Sequence, residues 1–280
     1  MRIDHICVGV SDVAVAADWY ESVLGLAPRA RDGGSVFLGC GGRPAYDLEL
    51  RTGSGLLHVA YRVGGDELDR LSESLAQAGA APKAVDGALA VGMANGVEVR
   101  LVRQAGGEAY IHATEWDAAG AGSPRELDHV TVAATDLPAV VKLCTEGLCL
   151  QVSDIQRYKG RDVGFWMRAG ERHHDFAVVA NRKDGLHHLA YQVADAADLV
   201  RMADRIVRMG YRSEYGIGRH GPGSNLFLYV RDPSGNRVEL CCDMAMVPPG
   251  ATARVWEGND DRYLDVWTSY LPPPSWMEIT

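Results

Sequence analysis

Three residues of this chain have the types that hold a metal ion, and they stand at corresponding places on neighbouring predicted strands. His129 lies in Leu127-Asp128-His129-Val130-Thr131-Val132, His188 in Leu186-His187-His188-Leu189-Ala190, and Glu239 in Val238-Glu239-Leu240. Each segment alternates or runs apolar in the manner of a strand. Two imidazoles and one carboxylate on one face fill three sites of a six-coordinate ion and leave three adjacent positions open. That arrangement suits Lewis-acid or redox chemistry on a substrate that chelates the ion. The run from Gly218 to Glu239 adds His220 on a Gly-rich loop and Tyr229 on an apolar strand. The Asp232-Pro233-Ser234-Gly235 turn follows, and a second strand then delivers Glu239. This is a hairpin that gathers polar side chains around one cavity.

Strands at corresponding places require a repeat, and the chain carries one. Ile3-Asp4-His5-Ile6 is echoed by Leu127-Asp128-His129-Val130, Gly55-Leu56-Leu57-His58 by Gly185-Leu186-His187-His188, and Val97-Glu98-Val99 by Val238-Glu239-Leu240. The order is the same in both halves, so the sequence is an internal duplication. Asp12 and Asp136 offer N-caps to helical patterns, the first over residues 13–24. Residues 67–78 and 195–209 read as second helices, closed by Gly79 and Gly210. The repeating unit is β-α-β-β-β, present four times.

The domain reading is 1–105, a linker over 106–124 rich in Gly and Ala, 125–245, and an aromatic and Pro-rich extension over 246–280. That extension carries Trp256, Trp267 and Trp276 and is expected to pack across the second domain or a subunit contact. A charge of −9 argues against nucleic-acid or anionic-membrane partners. No apolar run reaches membrane-spanning length, and the first residues enter a strand directly with no signal-peptide pattern. Six cysteines without disulfide-framework spacing point to reduced thiols in a cytoplasm.

From Gly218 to Glu239 the chain resembles, nearly position for position, the signature of the type I extradiol ring-cleaving dioxygenases of the vicinal oxygen chelate superfamily. The resemblance implies an α+β fold of two vicinal-oxygen-chelate (glyoxalase/extradiol dioxygenase-like) domains, each built from two β-α-β-β-β modules in an open barrel. It implies cleavage of a catechol-type substrate by O2 at Fe(II), with Mn(II) the alternative ion, held by His129, His188 and Glu239. It also implies a homo-oligomer. His174 of His173-His174-Asp175 matches the family's acid–base histidine, Tyr229 its catecholate-binding tyrosine, and His220 its pocket-edge histidine. Trp166 matches a tryptophan beside the O2 position, and Thr131 stands where some members carry Asn. Tyr215 replaces an Arg typical of members that cleave a carboxylated catechol; with Phe176 it completes the implied substrate-binding set.

Alternation along a strand predicts that His187 faces away from its neighbour, and His173 is read as structural or solvent-facing. His5, His58 and Glu98 repeat the ligand types in the first half without the accessory residues, and are read as a relic without catalytic metal. The same fold also carries metal-dependent glyoxalase-like lyases or isomerases and metal-free resistance proteins that bind small molecules. Only the ring-cleaving reading uses His174, His220 and Tyr229 together.

Overall fold

A computed structural model describes residues 1–41, 45–104, 122–258 and 260–280. The first half runs β1 (Arg2–Val10), a helix (Val13–Trp19), β2 (Ala27–Asp32), β3 (Ser35–Gly39) and β4 (Leu48–Thr52). It repeats as β5 (Gly55–Val63), a helix (Gly65–Gln77), β6 (Lys83–Val85), β7 (Ala88–Gly92) and β8 (Glu98–Arg103). The second half follows the same plan. β9 (Glu126–Ala134) and a helix (Leu137–Lys142) lead to β10 (Gln151–Tyr158), β11 (Arg161–Arg168) and β12 (Phe176–Ala180). β13 (Gly185–Gln192) and a helix (Ala196–Arg208) lead to β14 (Tyr215–Arg219), β15 (Leu226–Arg231) and β16 (Arg237–Cys242), and β17 (Arg254–Glu257) comes last.

The sheets have matching orders, β2-β3-β4-β1-β5-β8-β7-β6 and β10-β11-β12-β9-β13-β16-β15-β14, with β17 added beside β10. Both are open mixed sheets: the two central strands of each are antiparallel, and each has a parallel neighbour outside it. The α+β reading with four β-α-β-β-β modules therefore holds. Most of the predicted linker lies outside the described residues.

The helices begin where the sequence supplies caps. The Asp12 carboxylate accepts from the Ala14 and Val15 amides, and Asp136 from Ala139. The first helix widens into a π turn over Tyr20–Leu24 and stops at Gly25, whose φ of 82° is left-handed. The apolar sides of the helices and strands bury one continuous core, with Val8, Val59, Val130 and Leu189 at 0% exposure. Each such aliphatic side chain contributes on the order of 1.5–3 kcal/mol. Hydrogen bonds also tie the halves: Asn236 donates to the Gly9 carbonyl (3.2 Å) and Asn95 to the Ala133 carbonyl (3.3 Å). The Asp232 turn thus does more than reverse the chain, since Tyr20 donates to its carboxylate at 3.2 Å.

The C-terminal extension returns across the second sheet. β17 runs parallel to β10, Trp256 is buried, and the Thr280 backbone exchanges hydrogen bonds with Leu186 (2.8 and 3.1 Å).

Candidate metal centre

Three adjacent strands of the second sheet bring the candidate ligands together. Ala190 of β13 lies opposite both His129 of β9 and Glu239 of β16, and its small side chain leaves space between them. His188, two residues earlier, points to the same face. The Nε2 atoms of His129 and His188 are 3.2 Å apart, and each lies 3.2 Å from Glu239 Oε2. The three donor atoms therefore form an equilateral triangle, buried at 1%, 7% and 1% exposure. Neighbouring ligands of an octahedral ion with bonds of about 2.1 Å stand about 3.0 Å apart. The donor set fits one divalent ion with an open opposite face.

Each ligand is held from behind. Asp128 Oδ1 is 2.7 Å from His129 Nδ1, and Asp128 is in turn paired with Arg172. Asn225 donates to Glu239 Oε1 (2.9 Å) and Tyr229 to Oε2 (2.8 Å). His188 Nδ1 meets Nδ1 of His187 at 2.7 Å. Such partners orient ligating imidazoles and fix which ring nitrogen faces the ion. Burial alone would push the His129 ring down, but Glu239 and Asp128 outweigh it and hold the ring at about 9. At His188 burial wins and the ring is held at about 4. Glu239 also loses solvation, yet the two imidazoles keep its carboxyl well below the usual range.

The open face looks into a cavity of about 390 Å³. His174, His220, Tyr229, Thr131 and Trp166 line it together with the three ligands. His174 packs its ring 4.3 Å from that of His129, and burial pushes its imidazole down. His220 Nδ1 donates to the Leu264 carbonyl (2.7 Å), so its Nε2, 2.8 Å from the Tyr229 oxygen, is an acceptor. The single Tyr229 proton thus has two acceptors within reach, His220 and Glu239. The rest of the wall includes Val163, Val179, Leu264 and Met277; among the described residues that line it there is no Lys or Arg.

Several sequence expectations change here. A β-bulge in β13 between Leu186 and His188 breaks the alternation, and His187 turns to the cavity beside His188 instead of away from it. Phe176 pairs with Val130, whose side chain joins the core, so it is buried behind the sheet and does not line the cavity. Tyr215 also stands outside the cavity wall; it packs against Phe227, Tyr229 and Trp276, and its hydroxyl donates to the Tyr270 carbonyl. Of the two readings of His173, structural or solvent-facing, its 5% exposure rules out the second. Sequence reasoning missed Asn225, although it lies within the signature run, and Asp128, although it adjoins a ligand. Trp276 and Met277 reach the cavity from the C-terminal extension, which was expected to pack across the second domain but not to line the cavity.

The first half keeps the imidazole pair and changes the rest. His5 and His58 rings are 5.4 Å apart at 85°, against 5.3 Å and 83° for His129 and His188. Strand register, however, puts Arg100 and not Glu98 opposite Ala60, the place Glu239 holds opposite Ala190. Glu98 lies one pleat earlier and pairs with Arg100 (2.8 Å). Cys7, Glu49 and His58 form a second buried cluster there, with Glu49 bound to Arg51 at 2.6 Å.

Comparison with known proteins agrees with this architecture. A family model described as the Glyoxalase/Bleomycin resistance protein/Dioxygenase superfamily matches residues 2–99 and 126–240. Metapyrocatechase 2 of Cupriavidus necator is 33% identical over 139 residues, 49% of this chain and 41% of that protein. The match therefore spans less than half the length of that relative. A manganese-dependent 2,3-dihydroxybiphenyl 1,2-dioxygenase of Geobacillus genomosp. 3 is 26% identical over 265 residues, 85% of this chain and 84% of it. Homoprotocatechuate 2,3-dioxygenase from Brevibacterium fuscum, solved with 3,4-dihydroxyphenylacetate, superposes with a TM-score of 0.86 at 24% identity. That superposition covers 99% of this chain and 91% of the other.

Proposed function

We propose that this chain, which belongs to the glyoxalase/bleomycin resistance protein/dioxygenase superfamily, is an extradiol dioxygenase that opens a catechol-type ring with O2. The single observation that carries the reading is the triangle of His129, His188 and Glu239 facing a cavity that also holds His174, His220 and Tyr229. Those three ligands would hold one Fe(II), with Mn(II) the alternative ion suited to the same donors. An iron-dependent extradiol dioxygenase of Rhodococcus jostii, 24% identical over 152 residues, and the manganese-dependent relative support the pair. When bound, the ion supplies an electrophilic centre on which a chelating diol and O2 can be brought together.

The chain's own residues supply placement and protons. His174 sits beside His129 and is the group that takes a proton from the substrate hydroxyl and returns one later. Tyr229 places its one hydroxyl proton within reach of His220, Glu239 and an oxygen at the centre, which compete for it. Trp166 and Thr131 shape the wall beside the open face, and Trp276 closes the cavity from the C-terminal side. An aromatic and aliphatic wall without Lys or Arg among its described residues favours an uncharged substrate, a substituted monocyclic or bicyclic catechol.

Free cysteines at all six positions support a cytoplasmic protein. Among the described residues no helix is long and apolar enough to cross a membrane. Trp267, Tyr270 and Leu271 of the extension are 57%, 80% and 74% exposed, which supports association with a second copy. The deciding experiment is anaerobic reconstitution with Fe(II) or Mn(II), followed by a panel of charged and uncharged catechols under air. A yellow ring-fission product with stoichiometric O2 uptake is expected; metal binding without O2 uptake on any catechol would reject the reading.

A further inference from the structure

The acid–base candidate does not stand alone. Behind His174, away from the metal ligands, His173 and Asp154 form a short buried row with 5% exposure each. His174 Nδ1 is 3.0 Å from His173 Nδ1, and His173 Nε2 is 3.2 Å from Asp154 Oδ2. The Trp256 indole N–H donates to the same Oδ2 at 2.7 Å, which anchors that oxygen in place. Asp154 comes from β10, Trp256 from β17, and the two histidines from the turn before β12. Three separate parts of the chain thus converge on one row.

This row determines where protons sit. A carboxylate oxygen beside Nε2 of His173 places that ring's proton on Nε2, because an acceptor facing an unprotonated nitrogen would be repelled. His173 Nδ1 then carries a lone pair. Two lone pairs cannot face one another at 3.0 Å, so His174 must carry its proton on Nδ1 and donate it to His173. The lone pair of His174 is left on Nε2. That tautomer is the minority form for an imidazole in water, so the protein has to impose it.

We infer that Asp154 and His173 are positioning residues that hold His174 as its Nδ1–H tautomer, with Nε2 ready to accept a proton in the cavity. The role of His174 as the accepting base rests on the ring-cleaving reading above; the tautomer itself does not. Charge on Asp154 is what propagates along the row: removing it lets His173 put its proton on either nitrogen, and His174 follows. The histidine that looked structural beside the catalytic candidate is the link that carries this preference.

Nitrogen-15 NMR of imidazoles tests this on the full chain, loaded with Zn(II) as a diamagnetic ion. The wild-type His174 should show a protonated Nδ1 and an unprotonated Nε2. Asp154→Asn keeps an acceptor for Trp256 and should move His174 to a mixture of tautomers, and His173→Asn should do the same from the other end of the row. In the reconstituted enzyme both variants should lower kcat about 10- to 100-fold, with KM within about threefold and metal content and Tm unchanged. Unchanged His174 nitrogen shifts in both variants would overturn the inference, as would altered shifts with wild-type kcat in an active enzyme. If wild-type protein cleaves no catechol but the shifts change as expected, the tautomer control stands and the assigned reaction falls.

Discussion

Glu214 offers a quantitative check on how the C-terminal segment is held over the cavity. Its carboxylate accepts from Arg237 (2.8 Å), Arg231 (2.9 and 3.0 Å) and Ser275 (2.7 Å), and both arginines also donate to the Ser275 carbonyl at 2.8 Å. Arg237 stacks its guanidinium 4.6 Å from the Trp276 ring, which lines the cavity. Burial would push the Glu214 carboxyl up, but the hydrogen bonds from Arg237, Arg231 and Ser275 outweigh it and lower it from 4.5 to about 2. A folded value depressed below the unfolded one stabilises the protein above the unfolded pKa, and that stability is lost as pH falls through the folded value. The window here runs from pH 4.5 down to about 2. The full shift corresponds to a ceiling of about 3 kcal/mol, and solvent access to Arg231 reduces it to about 2 kcal/mol. Glu214→Gln should therefore lower Tm at pH 7 by about 4–8 °C. Urea unfolding of both proteins should show the gap narrowing by about 1 kcal/mol at pH 3.5, where the unfolded carboxyl is already protonated. A gap of equal size at pH 7 and pH 3.5 would refute the charge-based account and leave only packing.

Glu239→Gln keeps the side-chain volume but gives Asn225 or the ion a donor where an acceptor is required, so metal affinity should fall more than about 100-fold by metal analysis after dialysis; full occupancy with normal turnover would sink the ligand assignment. His174→Phe should retain the metal while kcat for ring cleavage falls about 10²–10⁴-fold, and loss of iron instead would make His174 a ligand. His58→Ala should leave ring cleavage nearly intact in a folded protein; loss of activity at unchanged Tm would transfer catalytic weight to the first half.

Much of this was legible because the signals are local. A β-α-β-β-β unit is announced by period-2 runs, Asp caps and closing glycines, and duplication of the unit identifies its equivalent positions. The ligand types follow from those positions. What the sequence could not reveal depends on how strands pair. His187 faces the cavity only because β13 bulges beside it, and a bulge is a property of two strands and not of either sequence. Phe176 was misplaced for a related reason: its face is set by pairing with Val130, and the irregular turn before β12 breaks any count from His174. Long-range partners were equally invisible. Asp154 is 19 positions from His173, and Trp256 is 102 from Asp154, so only the folded sheet brings them together.

The two halves also separate what the fold provides from what the site requires. Strand geometry alone sets two imidazoles about 5.3–5.4 Å apart, nearly perpendicular, and it does so twice. The third corner differs in sign. At the register of Glu239 the first half carries Arg100, a permanent cation that a divalent ion would have to displace against repulsion. Apparent sequence equivalence between Glu98 and Glu239 hides this, because a two-residue offset in a strand preserves the face while moving the side chain a full pleat along it. A carboxylate on the correct face but at the wrong level neutralises its neighbour Arg100 instead of completing a triangle. On the proposed ligand assignment, register thus counts as much as residue type in completing the triangle.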